Sequence, residues 1–335
     1  MANGKRKVAS TALGVAVFLL GSAVLLYPEI DSCVAQRSAS EMVSDAMAKD
    51  ARDADAQATE GNGRAKSGDP AYRYLLHYNE KVRNGNGGAI NDPWGIGVDV
   101  SGLEGMGLEE DVIGSITIPR LDETLPLLLN ATTDHMAVGA TVISGTSAPL
   151  GGQGDNCVIA AHRSVWHGLR MFRDIEDMEL GDLLTIDTLW DSLTYRVVET
   201  KVISSDDADA LRPQAGRDLV TLFTCHPYRH NYQRYLVICE RVQEGGTQEV
   251  PRGIARLVVQ AANPSDSPDL VMERWIRVGG LLMMLVMVTA GVVVLVGSSL
   301  RGRRGKVLAG HARGNGHAKG MGKGRPPARA GGSGD

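Results

Sequence analysis

The chain is predicted to be mainly β: short strands closing into a sandwich or barrel, after a helical region and between two membrane-length apolar segments. Three observations predict this. Short β-branched, apolar runs separated by turn residues recur from residue 114 to residue 241, the pattern of an all-β sandwich or barrel. Residues 35–85 are instead rich in Ala, Glu, Asp, Met and Lys and poor in β-branched residues, a helical composition. Residues 8–27 and 278–300 carry no charge and are long enough to cross about 30 Å of hydrocarbon as helices.

In chain order, residues 1–7 form a short N-terminus and 8–27 a transmembrane helix or signal-anchor. The first apolar run is long for a cleaved leader, and no small-x-small site follows it. Residues 28–90 form a helical region, with Pro70 suited to a first helical turn and Tyr74, Leu75 and Tyr78 at helical spacing. Glycines at 85, 87 and 88 break it. Residues 91–113 hold Asp92-Pro93-Trp94 and a flexible stretch. Strands are expected at 114–118, 125–129, 138–144, 157–161, 183–186, 194–203, 219–224 and 235–241, with a short helix at 171–178. Residues 243–276 read as a linker, 277–300 as the second membrane helix, and 301–335 as a basic disordered tail.

Charge sets the orientation. Residues 28–274 carry 22 Lys and Arg against 38 Asp and Glu, a net of −16, whereas residues 301–335 carry nine Lys and Arg and one acid, Asp335. Lys5, Arg6 and Lys7 precede the first apolar run. Positive flanks stay in the cytoplasm, so the acidic middle is expected outside. The basic tail is explained by topology, and no nucleic acid partner is implied. The cysteines are Cys33, Cys157, Cys225 and Cys239. An extracellular site permits disulfides, and a bridge between Cys157 and Cys239 is compatible with the sequence. No ligand spacing for a metal stands out. His226 and His230 with Cys225 lack a fourth ligand.

The chemistry concentrates in Thr221-Leu-Phe-Thr-Cys225-His-Pro-Tyr228, in Arg234 nine residues after the cysteine, and in Cys157-Val-Ile-Ala-Ala-His162-Arg163. A thiol, an imidazole and a guanidinium at strand ends supply a nucleophile, a proton carrier and a charge stabiliser for acyl transfer. His167, His226 and His230 compete with His162 for the imidazole role. Trp166, Trp190 and Trp275 read as loop packing, a strand edge and a membrane-interface belt.

These stretches resemble the sortase signature, and the finer match is to class C, the pilus-assembling type. The resemblance also takes in Ile116-Thr-Ile-Pro-Arg120, Ser144-Gly-Thr-Ser147 and Arg234-Tyr-Leu-Val-Ile-Cys-Glu-Arg241, and runs from about Asp92 to Val242. Two positions depart from it: His226 stands where a small polar residue is usual, and Ala161 where Gly is commoner. The resemblance implies a closed eight-stranded sortase-type barrel with short helices, and catalytic Cys225, His162 and Arg234. It implies a membrane-anchored cysteine transpeptidase with an extracellular catalytic domain and no cofactor. Such an enzyme cleaves an LPxTG-like signal through a Cys225 thioester and joins it to a pilin lysine. A sortase using cell-wall peptide as nucleophile stands beside this, as does a cysteine protease of another class. Asp92-Pro93-Trp94 resembles the class C lid, which implies Trp94 over Cys225 and Asp92 paired with Arg234.

Overall fold

The computed structural model describes residues 2–57, 68–95, 108, 112–242, 255, 259, 260, 262, 263, 265 and 267–314. By contacts the chain divides into Met1–Val278 and Gly279–Asp335. The helices are α1 (Ala2–Gln57), α2 (Pro70–Arg83), α3 (Thr133–Val138) and α4 (Pro268–Gly314). The strands are β1 (Val112–Ile118), β2 (Glu123–Leu129), β3 (Ala140–Val142), β4 (Asp155–Ala160), β5 (Leu183–Thr188), β6 (Ser192–Ser204), β7 (Asp218–His226) and β8 (Gln233–Arg241).

The eight strands close into a barrel in the order β1-β2-β3-β4-β7-β8-β6-β5. β2–β3 and β4–β7 are parallel, and the other pairs are antiparallel. Successive side chains of a strand point to opposite faces. Cys157, Ile159, Val220, Leu222, Val237 and Cys239 therefore join a cluster fed by all eight strands, the barrel interior. Val158, Ala160, Phe223 and Leu236 join a second cluster on the outer face. β7 is buried at every position, and its apolar pairs Leu219-Val220 and Leu222-Phe223 face both sides of the sheet rather than alternating with exposed residues.

α2 is fixed from its first turn. Asp69 accepts from the Ala71 amide at 2.9 Å and from the Trp190 indole at 2.6 Å. Further along α2, Asn79 bonds both the carbonyl and the amide of Ala148, at 3.1 and 2.7 Å. The Tyr78 hydroxyl accepts from the Gly145 amide at 2.8 Å. Gly145 has a φ of +84°, and a Cβ there would stand 2.5 Å from the Ala89 carbonyl oxygen. Glycine thus lets residues 89–95 lie against the barrel.

Several expectations are corrected. Residues 138–144 are not one strand: Thr132 caps α3, and the three-residue β3 follows. Residues 171–178 are turns with a 3₁₀ turn at Ile175–Asp177, not a helix. β7 runs through Cys225 to His226, so the thiol is in the strand, not past it. Cys157 and Cys239 are buried and unbridged. Val220 of β7 pairs with both of them, so a whole strand separates them. α4 starts at Pro268, inside the stretch read as a linker.

Among the described residues, Pro268–Val293 is the one helix long and apolar enough to cross a membrane. Ala16–Val24 and Leu26–Lys49 pass that test only as a pair, bent by 40°. Two membrane helices are therefore met by one unbroken span. The flexible stretch expected after Gly95 and the basic tail beyond residue 314 lie outside the described residues.

Candidate active site

Strand register brings the predicted residues together. Ala160 of β4 pairs with Phe223 of β7, so His162 and Cys225, each two residues on, stand level. The strand ends are tied across: the Thr224 hydroxyl donates to the Ala161 carbonyl at 2.7 Å, and the Ala161 amide to the Phe223 carbonyl at 3.3 Å. On the other side Cys225 pairs with Arg234 of β8. Parity puts all three side chains on the outer face, with Phe223 and Leu236. Neighbouring strands lie about 4.8 Å apart, so the three groups come from adjacent rungs of one sheet.

Asp92 and Trp94 complete the site. Asp92 binds Arg234 through two bonds, Nε to Oδ1 at 3.1 Å and a terminal nitrogen to Oδ2 at 2.5 Å. It also turns its own segment, with the Gly95 amide 2.9 Å from its carbonyl. The Trp94 ring stacks on Phe223 at 5.8 Å, lies edge-on to His162 at 6.2 Å and sits under the Arg234 guanidinium at 5.2 Å. Its indole N–H donates to His162 Nδ1 at 3.5 Å. That bond requires an unprotonated Nδ1. Arg234 also donates to the carbonyls of Asn231 and Gln233, which hold its fork in place.

The electrostatics follow from burial. Cys225 is 5% exposed. Desolvation pushes its thiol up to about 11; Asp92 adds to this, while Arg234 and Arg163 oppose it. Burial lowers the His162 value below its ordinary 6.5. In this closed arrangement thiol and imidazole are both neutral at physiological pH. Asp92 spends the charge of Arg234 that would otherwise favour a thiolate.

The other candidates fall elsewhere. His226 has the opposite parity to Cys225 and meets Arg163 and Tyr235. His230 lies 3.4 Å from Asp269, and His167 sits edge-on to Trp166. Trp166 was read as plain loop packing; it stacks on His162 at 4.7 Å with an 18° interplanar angle. Its position four residues after the histidine was the available signal. Among the described residues no three His, Cys, Asp or Glu side chains are grouped to hold a metal ion.

A closed barrel thus carries a thiol, an imidazole and a guanidinium on three adjacent strand ends, groups of the kind that acyl transfer uses. Residues 116–242 match the family model of the sortase domain, and this part of the chain is a sortase domain. The chain is 25% identical over 132 residues to sortase D of Bacillus subtilis (strain 168) and 28% identical over 129 residues to sortase A of Bacillus anthracis. Each match takes in 38% of this chain and 63% or 59% of the relative, so the chain spans about three fifths of their length. The solved structure of Clostridium perfringens sortase C with the C-terminal cell wall sorting motif aligns with a TM-score of 0.50 at 28% identity. It covers 62% of this chain and all of that one.

Proposed function

We propose that this protein is a membrane-anchored class C sortase that joins an LPxTG-type sorting signal to a pilin lysine. The observation that carries the reading is the set Cys225, His162 and Arg234 on adjacent strand ends beneath Asp92 and Trp94. The lid pair supports the pilus type. The likeness to a sortase C solved with a sorting motif supports the substrate class.

The chemistry runs in two half-reactions. With Asp92 and Trp94 withdrawn, Arg234 is freed to favour the Cys225 thiolate and to hold the substrate backbone, and the proton that leaves the thiol is taken up by His162. The thiolate adds to the Thr carbonyl of the signal, and Arg234 stabilises the oxyanion. The Thr–Gly bond breaks as protonated His162 gives its proton to the leaving amine. A thioester remains. The lysine amine then attacks that carbonyl, and neutral His162 takes its proton. The thiolate leaves, and an isopeptide bond is formed.

Anchoring rests on α4 and on the N-terminal helix. Val17, Leu19, Leu20, Val24 and Ile30 are exposed on more than one side of α1, apolar surface suited to lipid. With basic residues before the first apolar run and after the second, both termini are placed inside and the barrel outside.

The test is transfer. Membranes holding the full chain are given an LPxTG peptide and a lysine-bearing acceptor, and Cys225→Ala is compared with the native protein. Native membranes are expected to form an amide-linked product and the variant none. Product formed by Cys225→Ala overturns the sortase reading, and hydrolysis without transfer in saturating amine points to a protease. Preference for a cell-wall peptide amine over lysine reassigns the nucleophile.

A further inference from the structure

A second polar layer lies directly behind the site, on the opposite parity of the same strand ends. Arg163 follows His162, and His226 follows Cys225. Both are 4% exposed. One arm of the Arg163 guanidinium donates to the Cys225 carbonyl at 3.3 Å and meets His226 Nδ1 at 2.7 Å. The other arm binds Glu176 and donates to the Ser267 hydroxyl at 3.3 Å. Ser267 is wholly buried. It donates to Glu176 at 3.2 Å and accepts from the Tyr228 amide at 3.0 Å, just past the nucleophile strand. Ser265 donates to Glu176 as well. Glu176 is reached from His162 through Phe172, whose amide donates to the His162 carbonyl at 3.0 Å.

We propose that Ser265 and Ser267, just ahead of α4, are a working part of the active site, with Ser267, Glu176 and Arg163 acting as positioning residues for Cys225 and His162. A fold needs no such arrangement to terminate a barrel. Here the Ser267 hydroxyl, beyond β8 in the chain, is buried on a side chain that holds the nucleophile's own carbonyl. Arg163 is a planar fork with donors on both arms, so a partner lost on one arm lets the other rotate. Two peptides are gripped at once: that of Cys225 by Arg163 and that of Tyr228 by Ser267. The spacing between thiol and imidazole therefore depends on a segment more than 30 residues beyond the barrel's last catalytic residue. The proposal rests on the cysteine transpeptidase reading for its turnover measurements but not for its thiol measurements.

The experiment uses the full chain in detergent or vesicles, with Ser267→Ala, Glu176→Gln, Arg163→Met and Arg163→Lys. Turnover of an LPxTG peptide is resolved into kcat and KM. The pH midpoint of Cys225 alkylation by iodoacetamide is followed beside it, with the folded fraction measured by near-UV circular dichroism. The charged groups bearing on the thiol are Arg234, Asp92 and Arg163. Ser267→Ala and Glu176→Gln are expected to lower kcat about ten-fold with KM changed less than about two-fold, the pattern of a lost transition-state arrangement. Both are expected to move the alkylation midpoint by about half a unit or more. Arg163→Met is expected to raise that midpoint, and Arg163→Lys to restore it without restoring kcat. Folded variants with native kcat and midpoint overturn the proposal. So does a loss of turnover that only tracks the folded fraction while the midpoint stays fixed. If no sorting peptide is turned over by the native chain but the midpoints move, the positioning role stands and the reaction assignment falls.

Discussion

Asp92→Ala is expected to unmask Cys225. In the closed site Arg234 and Asp92 have side chains only 5% and 15% exposed, so their pair is largely desolvated. An exposed pair is worth about 0–1 kcal/mol; removing one partner of a buried pair costs about 3–5 kcal/mol, because a charge is stranded. In Asp92→Ala the stranded charge is Arg234, and it regains water when residues 92–94 swing away. The half-buried Trp94 ring contributes at most about 1.5–3 kcal/mol to closure. The variant thus loses the larger part of what holds the lid. Every 1.4 kcal/mol is about ten-fold in the open population.

The thiol itself amplifies the effect. With a value of about 11 in the closed site, only about 3 in 10,000 thiols are ionised at pH 7.5, against about 3 in 100 at the ordinary 9.0. Alkylation by iodoacetamide at pH 7.5, read by intact mass, is expected to accelerate at least about ten-fold in Asp92→Ala. Trp94→Ala is expected to follow by a smaller factor. If both variants label at the native rate with the barrel folded, Asp92-Pro93-Trp94 is an ordinary turn and the class C assignment loses its local support.

Three further outcomes follow from the same geometry. The Cys225 value lies above the ordinary 9.0 and that of His162 below 6.5. Closure is therefore stabilised by the thiol below pH 9.0 and loses that support toward about 11, and is stabilised by the imidazole above 6.5 and loses that support in acid. Hydrogen-exchange protection of residues 89–95 is expected to plateau between 6.5 and 9.0 and to fall on either side; a monotonic profile refutes this. Arg274→Ala strands Asp174 and Asp177, to which it is bonded at 2.9–3.0 Å, and is expected to cost about 3–5 kcal/mol in urea unfolding. Asp174 and Glu176 are both held at about 2 although burial opposes it, by Arg173 and Arg274 for the first and by His226 and Arg163 for the second. Their contribution is present above about pH 4.5 and is lost as the pH falls toward 2, so the native barrel is expected to unfold in acid over that interval. A reporter fused after Asp335 is expected to be active only in the cytoplasm, and one within residues 243–258 only outside; an externally accessible C-terminal tag overturns the double anchor.

The strand ends bearing Cys225, His162 and Arg234 were legible because β-branched apolar runs announce themselves locally, and the chemistry sits where those runs stop. The strand order was not legible. Nothing in the sequence of β7 says that β4 lies on one side and β8 on the other, since those pairings are fixed by barrel closure. α3 escaped because its six residues are too few for a helical period, and its anchor is tertiary: His135 Nδ1 lies 2.7 Å from the Leu129 carbonyl. Strand parity aims His226 away from Cys225, and the same argument places Arg163 with His226.

The stretch read as a linker is the sharper case. Its Pro, Gly, Ser and Asp content is that of a flexible connection, and composition cannot say otherwise. What fixes it are partners far back in the chain. Gln260 and Arg274 both bind Asp177, and Ser265 and Ser267 both bind Glu176. Each of those carboxylates is buried, and a buried carboxylate without partners is untenable. Without Ser265, Ser267 and Arg274 the acidic edge at 174–177 keeps Arg173, Arg163 and His226 but loses the rest of these partners. This ties two needs to one edge. The first turns of α4 are held to the barrel by Arg274 on Asp177, and the guanidinium that grips the Cys225 carbonyl is held by the neighbouring Glu176. A chain cut before residue 265 would leave Glu176 to Arg163 and His226 alone and Asp177 without Arg274, so its barrel is expected to be less stable above about pH 4.5, with the deficit narrowing in acid, and its thiol less well placed. A chain cut after Val278 keeps both contacts, and its alkylation midpoint is expected to match that of the full protein.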